Sequence, residues 1–367
     1  MLRLGVLGLG SVFTGPYRQL ISQLRQEGLA ELRAVYDVNA EKTAAVATLH
    51  PGVVTHASAA ALIASPDIDA VLVLTSMNEH GALARAALQA GKHVLVEKPM
   101  ATSLAEARAL LEASRHARGL LVCAPHVVLS PTYRAMHASV KAGQIGQLVL
   151  ARSRYGWAGP WWGEWFYKPG GGALFDLGVY NLTSLCGFFG SVKRVCAMVG
   201  TAIPRRVAEG VEITVQADDN AHVLLDFGDN RFGSVTTGFT MQKYRGPAIE
   251  LYGTDGVLQL LGDDWAPQGY EQWSNQRATW EIHEETDPKW PWTAGLRHLV
   301  ECAAAGRPTV SRPEHALHCL EVMLAARTSS AEGRFVNIES QFPPLDYSSL
   351  PAAGDDSHRR QHDPRTA

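Results

Sequence analysis

A compact apolar strand, Leu4-Gly5-Val6-Leu7, runs straight into Gly8-Leu9-Gly10-Ser11-Val12-Phe13. Behind that turn, Tyr17, Leu20, Ile21 and Leu24 fall at i, i+3, i+4 and i+7, the spacing of one buried helix face. Strand, glycine turn and helix in this order form the context of a dinucleotide-binding fingerprint. Gly8 permits the tight turn, Gly10 lets the backbone approach a pyrophosphate, and the helix start offers free N–H groups to an anion. Phe13 stands where a third small residue is usual, so the motif is imperfect. Gly8, Gly10, Ser11, Val12 and Phe13 are the candidate cofactor contacts of this turn.

The next strand, Leu32 to Tyr36, ends in Asp37. A carboxylate there can accept both ribose hydroxyls of an adenosine and repels a 2′-phosphate, which favours NAD over NADP. The structural alternative is a cap on the following helix. The alternation then continues. Ala44–Leu49 and Ser58–Ala64 read as helices, and Val53–Val54 and Ala70–Leu74 as strands. Thr75 to His80 opens a helix closed by Gly91, and Val94–Val96 is a strand that delivers Glu97-Lys98-Pro99. Ser103-Leu104-Ala105-Glu106 is a capping box, and Leu120–Val122 is one more strand. Repeated βα units predict a parallel, doubly wound α/β sheet. Ligands bind outside the carboxyl ends of such strands, and Lys98 projects from one of them.

The 367 residues suit two domains: 1–123 for the nucleotide, 124–343 for substrate and oligomerisation, and a disordered tail over 344–367. A net charge of −3 carries no electrostatic footprint for nucleic acid. No apolar run reaches the roughly 18 residues of a membrane span. The chain enters a strand at once without a leader pattern, so the cytoplasm is the expected compartment. Five scattered cysteines contain no Cys-x-x-Cys and are expected reduced. His315, His318 and Cys319 lie close together, but no further ligands follow at a recognised spacing, so no metal is expected.

The second domain breaks the βα rhythm. After a helix over 131–142, strand-like runs at 146–154, 192–201, 211–217, 222–227, 232–240, 248–252 and 257–261 are separated by short turns and predict a large, mostly antiparallel open sheet. Gly170-Gly171-Gly172 precedes a helix on which Asp176 and Tyr180, at i and i+4, share a face. They could serve simply as a capping and packing pair. Trp157, Trp161, Trp162 and Trp165 crowd one short segment. Aromatic faces stack on sugar rings, so Tyr155, Trp157, Trp162, Trp165 and the polar Lys168 are candidate substrate contacts. A subunit contact would use the same residues.

Gly8-Leu9-Gly10, Asp37, the Thr75 to His80 loop, Glu97-Lys98-Pro99 and the glycine–aspartate segment together resemble the Gfo/Idh/MocA oxidoreductase family, over about residues 3–337. The resemblance implies that Lys98 sits beside nicotinamide and substrate, with Glu97 next to it. It implies that Thr75, Ser76, Asn78 and His80 lie near the nicotinamide-side ribose, and that Asp176 and residue 180 face the nicotinamide. The family's usual histidine is Tyr180 here, as in two branches of the family, and its usual aspartate three residues on is Thr183. His126 stands where members often place a polar residue near substrate, with Val127 and Val128 in place of arginines; a satisfied core histidine is the alternative reading. The family's open sheet commonly forms the subunit interface, so a homodimer or homotetramer is implied.

These readings predict an NAD(H)-dependent enzyme that acts on a secondary hydroxyl or ketone of a sugar, cyclitol or glycoside. Lys98, Asp176 and Tyr180 form its catalytic centre. The Lys98 ammonium is expected to lower the Tyr180 pKa toward neutrality, with Lys98 itself as the other candidate to carry the proton. Two alternatives share the sequence. One is glycoside cleavage by transient oxidation and elimination; the other is a non-catalytic NAD-binding regulator.

Overall fold

The computed structural model describes residues 1–284, 287 and 290–350. Six parallel strands form the first sheet: β1 (Leu2–Leu7), β2 (Ala30–Tyr36), β3 (Val54–Thr55), β4 (Ala70–Val73), β5 (His93–Val96) and β6 (Leu121–Cys123). Their spatial order is β3-β2-β1-β4-β5-β6. The reversal of direction at β1/β4 is where a doubly wound sheet opens a crevice. Helices α1 (Arg18–Gln26), α2 (Ala40–Leu49), α3 (Ala59–Ala64), α4 (His80–Gln89) and α5 (Leu104–His116) connect the strands. Every residue of β4 is buried, as expected for a strand covered by helices on both sides. Helix starts follow local chemistry. Asn39 accepts from the Glu41 and Lys42 N–H groups, Ser58 from Ala61 and Ser103 from Glu106.

The second domain is a nine-stranded mixed sheet. It is built from β7 (Leu148–Gly156), β8 (Arg194–Gly200), β11 (Asn220–Gly228), β12 (Arg231–Gly238), β13 (Ile249–Gly253), β14 (Gly256–Asp263), β15 (Ala266–Ser274), β16 (Thr279–His283) and β17 (Val336–Asn337). A separate two-stranded ribbon pairs β9 (Arg205–Ala208) with β10 (Val211–Thr214). Most pairs are antiparallel, but β7 and β12 run parallel. The segment expected as one strand over 211–217 therefore belongs to the ribbon and not to the large sheet.

Helices α6 (Pro131–Lys141), α7 (Val179–Phe189) and α9 (Pro313–Glu332) complete this half, with α7 and α9 packed together. Along β11, Ala221, Val223, Leu225 and Phe227 are buried, while His222 and Leu224 are exposed. Strand alternation thus gives the sheet one covered and one open face. Helix α8 (Gly295–Ala305) returns to the first domain, where Leu296, Leu299 and Val300 join the core of β1, β2 and α1. The boundary at 123/124 is therefore crossed by later chain.

Of the segment read as a tail, residues 344–350 are docked. Leu345 is buried, the Tyr347 hydroxyl donates to the Val128 carbonyl at 2.7 Å, and Arg307 donates to Ser349 Oγ. Two apolar side chains in a polar-looking stretch anchor it. Residues 351–367 lie outside the described residues. No helix among the described residues is long and apolar enough to cross a membrane.

Strand β5 carries Lys98 at its end, and Leu95 within it is fully buried. Leu95→Ala is expected to cost about 2–5 kcal/mol, by lost transfer energy plus a cavity. Chemical denaturation checks this; an unchanged midpoint would contradict the burial of β5.

Candidate active site

Lys98 lies just past the carboxyl end of β5. Its Nζ forms an ion pair with Asp176 Oδ1 and also donates to the Asp176 carbonyl at 2.8 Å. Asp176 stands in the widened helical turn Leu174–Gly178 that leads into α7. This ion pair joins the first domain to the second at the site. The two side chains are 13% and 11% exposed, so neither charge is fully stripped of water.

Tyr180 follows on the same helix face. Lys98 Nζ sits 5.3 Å from its ring centroid, and Tyr155 meets that ring edge-on at 5.5 Å. The sequence thus leads correctly to a juxtaposition, but the expected electrostatics are reversed. Burial pushes the Tyr180 phenol well above its ordinary value, and the carboxylates of Glu97, Asp176 and Asp264 push in the same direction. Lys98 does not offset them. It is paired with Asp176, it lies over the ring, and among the described residues no hydrogen bond joins it to the Tyr180 hydroxyl.

Behind Lys98 the supports are buried. The Tyr17 hydroxyl donates to Glu97 Oε1 at 2.8 Å, and Glu97 Oε2 accepts the Lys98 N–H. His80 is buried, with Nδ1 2.8 Å from the Pro99 carbonyl and Nε2 3.0 Å from the Thr75 carbonyl. It ties the Thr75 loop to the segment after Lys98, and burial lowers its pKa. Thr75 is half-buried, while Ser76 and Asn78 are exposed.

At the nucleotide turn, Gly8 has φ +92°, and a Cβ there would stand 2.6 Å from the Leu74 carbonyl oxygen. Nothing lies within 4 Å of a Cβ built on Gly10, so the backbone there faces open space. Asp37 stands at the end of β2. Its Oδ2 accepts the Leu9 N–H at 2.6 Å, and its Oδ1 accepts the Asn39 N–H at 2.8 Å. The carboxylate therefore braces the glycine turn. Ser11 is exposed and Val12 half-buried, whereas Phe13 is wholly buried in the core, which leaves only its backbone for a ligand.

The glycine run approaches protein atoms. A Cβ at Gly170 would strike Asn78 Oδ1 across the cleft, and one at Gly172 would stand 2.6 Å from Asp218 Oδ1. Asp218 accepts the Leu174 N–H at 2.8 Å and is gripped by Arg327, which fixes the start of the turn that carries Asp176.

Trp157 stacks on Trp162 at 5.4 Å, and Trp165 on Phe166 at 3.7 Å. Trp162 and Trp165 are exposed, and Lys168 lies 3.8 Å from Glu164. His126 is buried against Gly295 of α8 with both ring nitrogens unpartnered among the described residues, and burial pushes its pKa down to about 3. A buried ring without an exposed edge is the arrangement of the core-histidine reading.

A family model described as an oxidoreductase family with an NAD-binding Rossmann fold matches residues 2–124. A second, described as the GFO/IDH/MocA C-terminal domain, matches 133–259. The trans-1,2-dihydrobenzene-1,2-diol dehydrogenase of Macaca fascicularis is 30% identical over 270 residues, 72% of this chain and 76% of that protein. The chain belongs to the Gfo/Idh/MocA family of oxidoreductases. The 1,5-anhydro-D-fructose reductase of Ensifer adhaerens is 32% identical over 189 residues, 50% of this chain and 56% of that one. In fold, the chain is similar to a levoglucosan dehydrogenase solved with NADH and levoglucosan, with a TM-score of 0.81 at 20% identity over 92% of this chain and 100% of that one.

As a Gfo/Idh/MocA member the protein is an enzyme, an oxidoreductase whose relatives are named dehydrogenases and reductases. Beneath Tyr180 the structure adds groups that sequence reasoning passed over. Ser184, one further turn along the Asp176–Tyr180 face, donates to Asp264 Oδ1 at 2.8 Å. The i+4 spacing could have drawn attention to Ser184. Asp264 sits in the turn between β14 and β15, far away in sequence, and gives no local signal. Nearby, the Tyr244 hydroxyl donates to Asp263 Oδ1 at 2.6 Å.

Burial raises the Asp264 pKa to about 7. The folded state therefore holds a proton that the unfolded chain, at about 3.9, has released. Between these values stability falls as pH rises. Asp264→Asn is expected to remove this component, so that the variant gains on wild type from pH 5 to 8 by on the order of a few kcal/mol. Urea melts at both pH values measure it; a pH-independent difference would contradict a buried, protonated Asp264.

Proposed function

We propose that this enzyme transfers a hydride between NAD(H) and a secondary hydroxyl or ketone of a sugar, cyclitol or glycoside, at a centre formed by Lys98, Asp176 and Tyr180. The carrying observation is the Lys98–Asp176 pair over the Tyr180 ring, just past the carboxyl end of β5. The cleft fits a dinucleotide. The Gly8–Gly10 turn leaves open space over Gly10, the helix start leaves N–H groups for a pyrophosphate, and Asp37 closes the end of β2. Gly8, Gly10, Ser11, Val12 and the Phe13 backbone would hold the phosphates, and Asp37 the adenosine ribose. Thr75, Ser76, Asn78, Glu97 and Lys98 would border the nicotinamide half, with His80 as their brace. The bound cofactor supplies the hydride acceptor or donor.

Lys98 polarises the reacting oxygen, and Asp176 holds Lys98 in place. Tyr180, kept protonated by burial, is an acid: in reduction it gives its proton to the oxygen as negative charge develops. Tyr155, Trp157, Trp162 and Trp165 would stack on the apolar faces of the ring, and Lys168 would reach its hydroxyls. A sugar or diol substrate agrees with the names of the relatives.

A panel of polyols and glycosides, followed by absorbance and product analysis with NAD and NADP, tests this reading. Turnover with NAD is expected, at lower KM than with NADP, and a preference for NADP would remove Asp37 from the ribose. Tyr180→Phe should lower kcat by about 10²–10⁴-fold. With the phenol held high, wild-type oxidation should keep rising to at least about pH 10, the free phenol value. A variant within a few-fold of wild type would exclude Tyr180 as the acid, and a plateau near neutrality would contradict a phenol held high.

The open face of the large sheet exposes Leu150, Met198, Leu224, Phe232, Trp280 and Ile282. Such a patch suits a homodimer or homotetramer joined through this sheet. Leu224→Arg with Phe232→Glu should shift the mass by light scattering to that of one chain; wild-type protein already at the monomer mass would refute the interface.

A further inference from the structure

A cluster outside the proposed catalytic centre joins α7 to α9. Cys186 lies on α7, the helix entered through Asp176 and Tyr180. His315 and Cys319 lie on α9 at i and i+4, one helix face. All three are buried, at 0%, 3% and 1% exposure. One ligand atom from each lies within 4.8 Å of the others. Donors that share one Zn²⁺ at about 2.0–2.3 Å stand roughly 3.5–4 Å apart, so small side-chain rotations would close the set.

Three further observations bear on it. His315 Nε2 is buried and has no hydrogen-bond partner among the described residues. The His315 ring is held flat against Phe342, with centroids 4.2 Å apart and an interplanar angle of 8°. The Thr183 hydroxyl donates to Cys319 Sγ at 3.8 Å, the kind of outer support that orients a sulfur ligand. His318, the neighbour that the sequence grouped with these residues, is occupied elsewhere. Its Nε2 accepts the Val192 N–H at 2.9 Å, and its Nδ1 lies 2.9 Å from Ser340 Oγ.

We propose that Cys186, His315 and Cys319 bind a thiophilic d¹⁰ cation, Zn²⁺ or Cu⁺, which pins α7 to α9 beneath the catalytic turn. Two sulfurs and an imidazole are a soft donor set that magnesium and calcium avoid. Cu⁺ is satisfied by three such donors, and Zn²⁺ takes a fourth beyond them. Two thiolates with Zn²⁺ are neutral as a set, which suits a site without water.

The test uses the full chain, purified under reducing conditions and stripped with a chelator. It is then exposed to Zn²⁺ or, without oxygen, to Cu⁺, and desalted. Metal per chain and Tm are read together. Wild type and the control Cys196→Ser, whose thiol is on the open sheet face, should keep one equivalent of one of the two ions and melt higher when loaded. Which ion is kept distinguishes the two cations. Cys319→Ser and His315→Ala should retain at least about tenfold less and show no rise in Tm. Retention of neither ion, equal retention by Cys319→Ser, or a Cys186–Cys319 disulfide in the reduced-purified protein would overturn the site. Should the variants fail to fold, spectra of wild type decide: a thiolate-to-cobalt charge-transfer band with Co²⁺, or an ultraviolet thiolate-to-copper band with Cu⁺, is expected, and the absence of both refutes the proposal.

Discussion

The site depends on one cross-domain ion pair. Lys98 belongs to the parallel sheet and Asp176 to the turn that opens α7, and no covalent restraint brings them together. Each is prepared by its own domain. On one side, Glu97 accepts from the Tyr17 hydroxyl and from the Lys98 N–H, and the His80 ring is seated between the carbonyls of Thr75 and Pro99. On the other, Arg327 holds Asp218, and Asp218 holds the Leu174 N–H at the start of the turn. Breaking a partly buried pair leaves an uncompensated charge, which costs far more than an exposed pair contributes. Both domains are thus built to present complementary charges at a single place.

That pairing decides the acid–base chemistry. An ammonium satisfied by a carboxylate does little to ionise a neighbouring phenol. Tyr180 sits among Glu97, Asp176 and Asp264, and burial adds to their effect. In the proposed reaction the phenol is therefore the proton donor. Burial keeps the tyrosine protonated at neutral pH, which in the proposed reaction makes it an acid ready for reduction.

Much of the fold was legible because its signals are local. The strand–glycine–helix opening, the capping residues Asn39, Ser58 and Ser103, and the apolar runs of β4 and β5 each specify a neighbour a few residues away. The strands β9, β15, β16 and β17 escaped, because they are short or mix polar and aromatic residues without clean alternation. At the site, the Lys98, Asp176 and Tyr180 juxtaposition was readable from motifs, but the direction of the Tyr180 shift was not. It depends on burial and on Asp264, which arrives from the β14–β15 turn. The surroundings of His126 were hidden for the same reason: its partner, Gly295 of α8, is far away in sequence. Cys186 joins His315 and Cys319 only through the packing of α7 on α9, which no spacing along the chain reveals.

The central claim is that Lys98 and Asp176 act as one unit, and a double-mutant cycle on kcat/KM tests it most directly. Lys98→Met, Asp176→Asn and the double variant are compared with wild type on the same substrate. If the pair is a unit, the double variant falls no further than Lys98→Met within a few-fold, the non-additivity of residues that share one task. Losses that multiply would contradict it and would show that Lys98 and Asp176 serve the reaction independently.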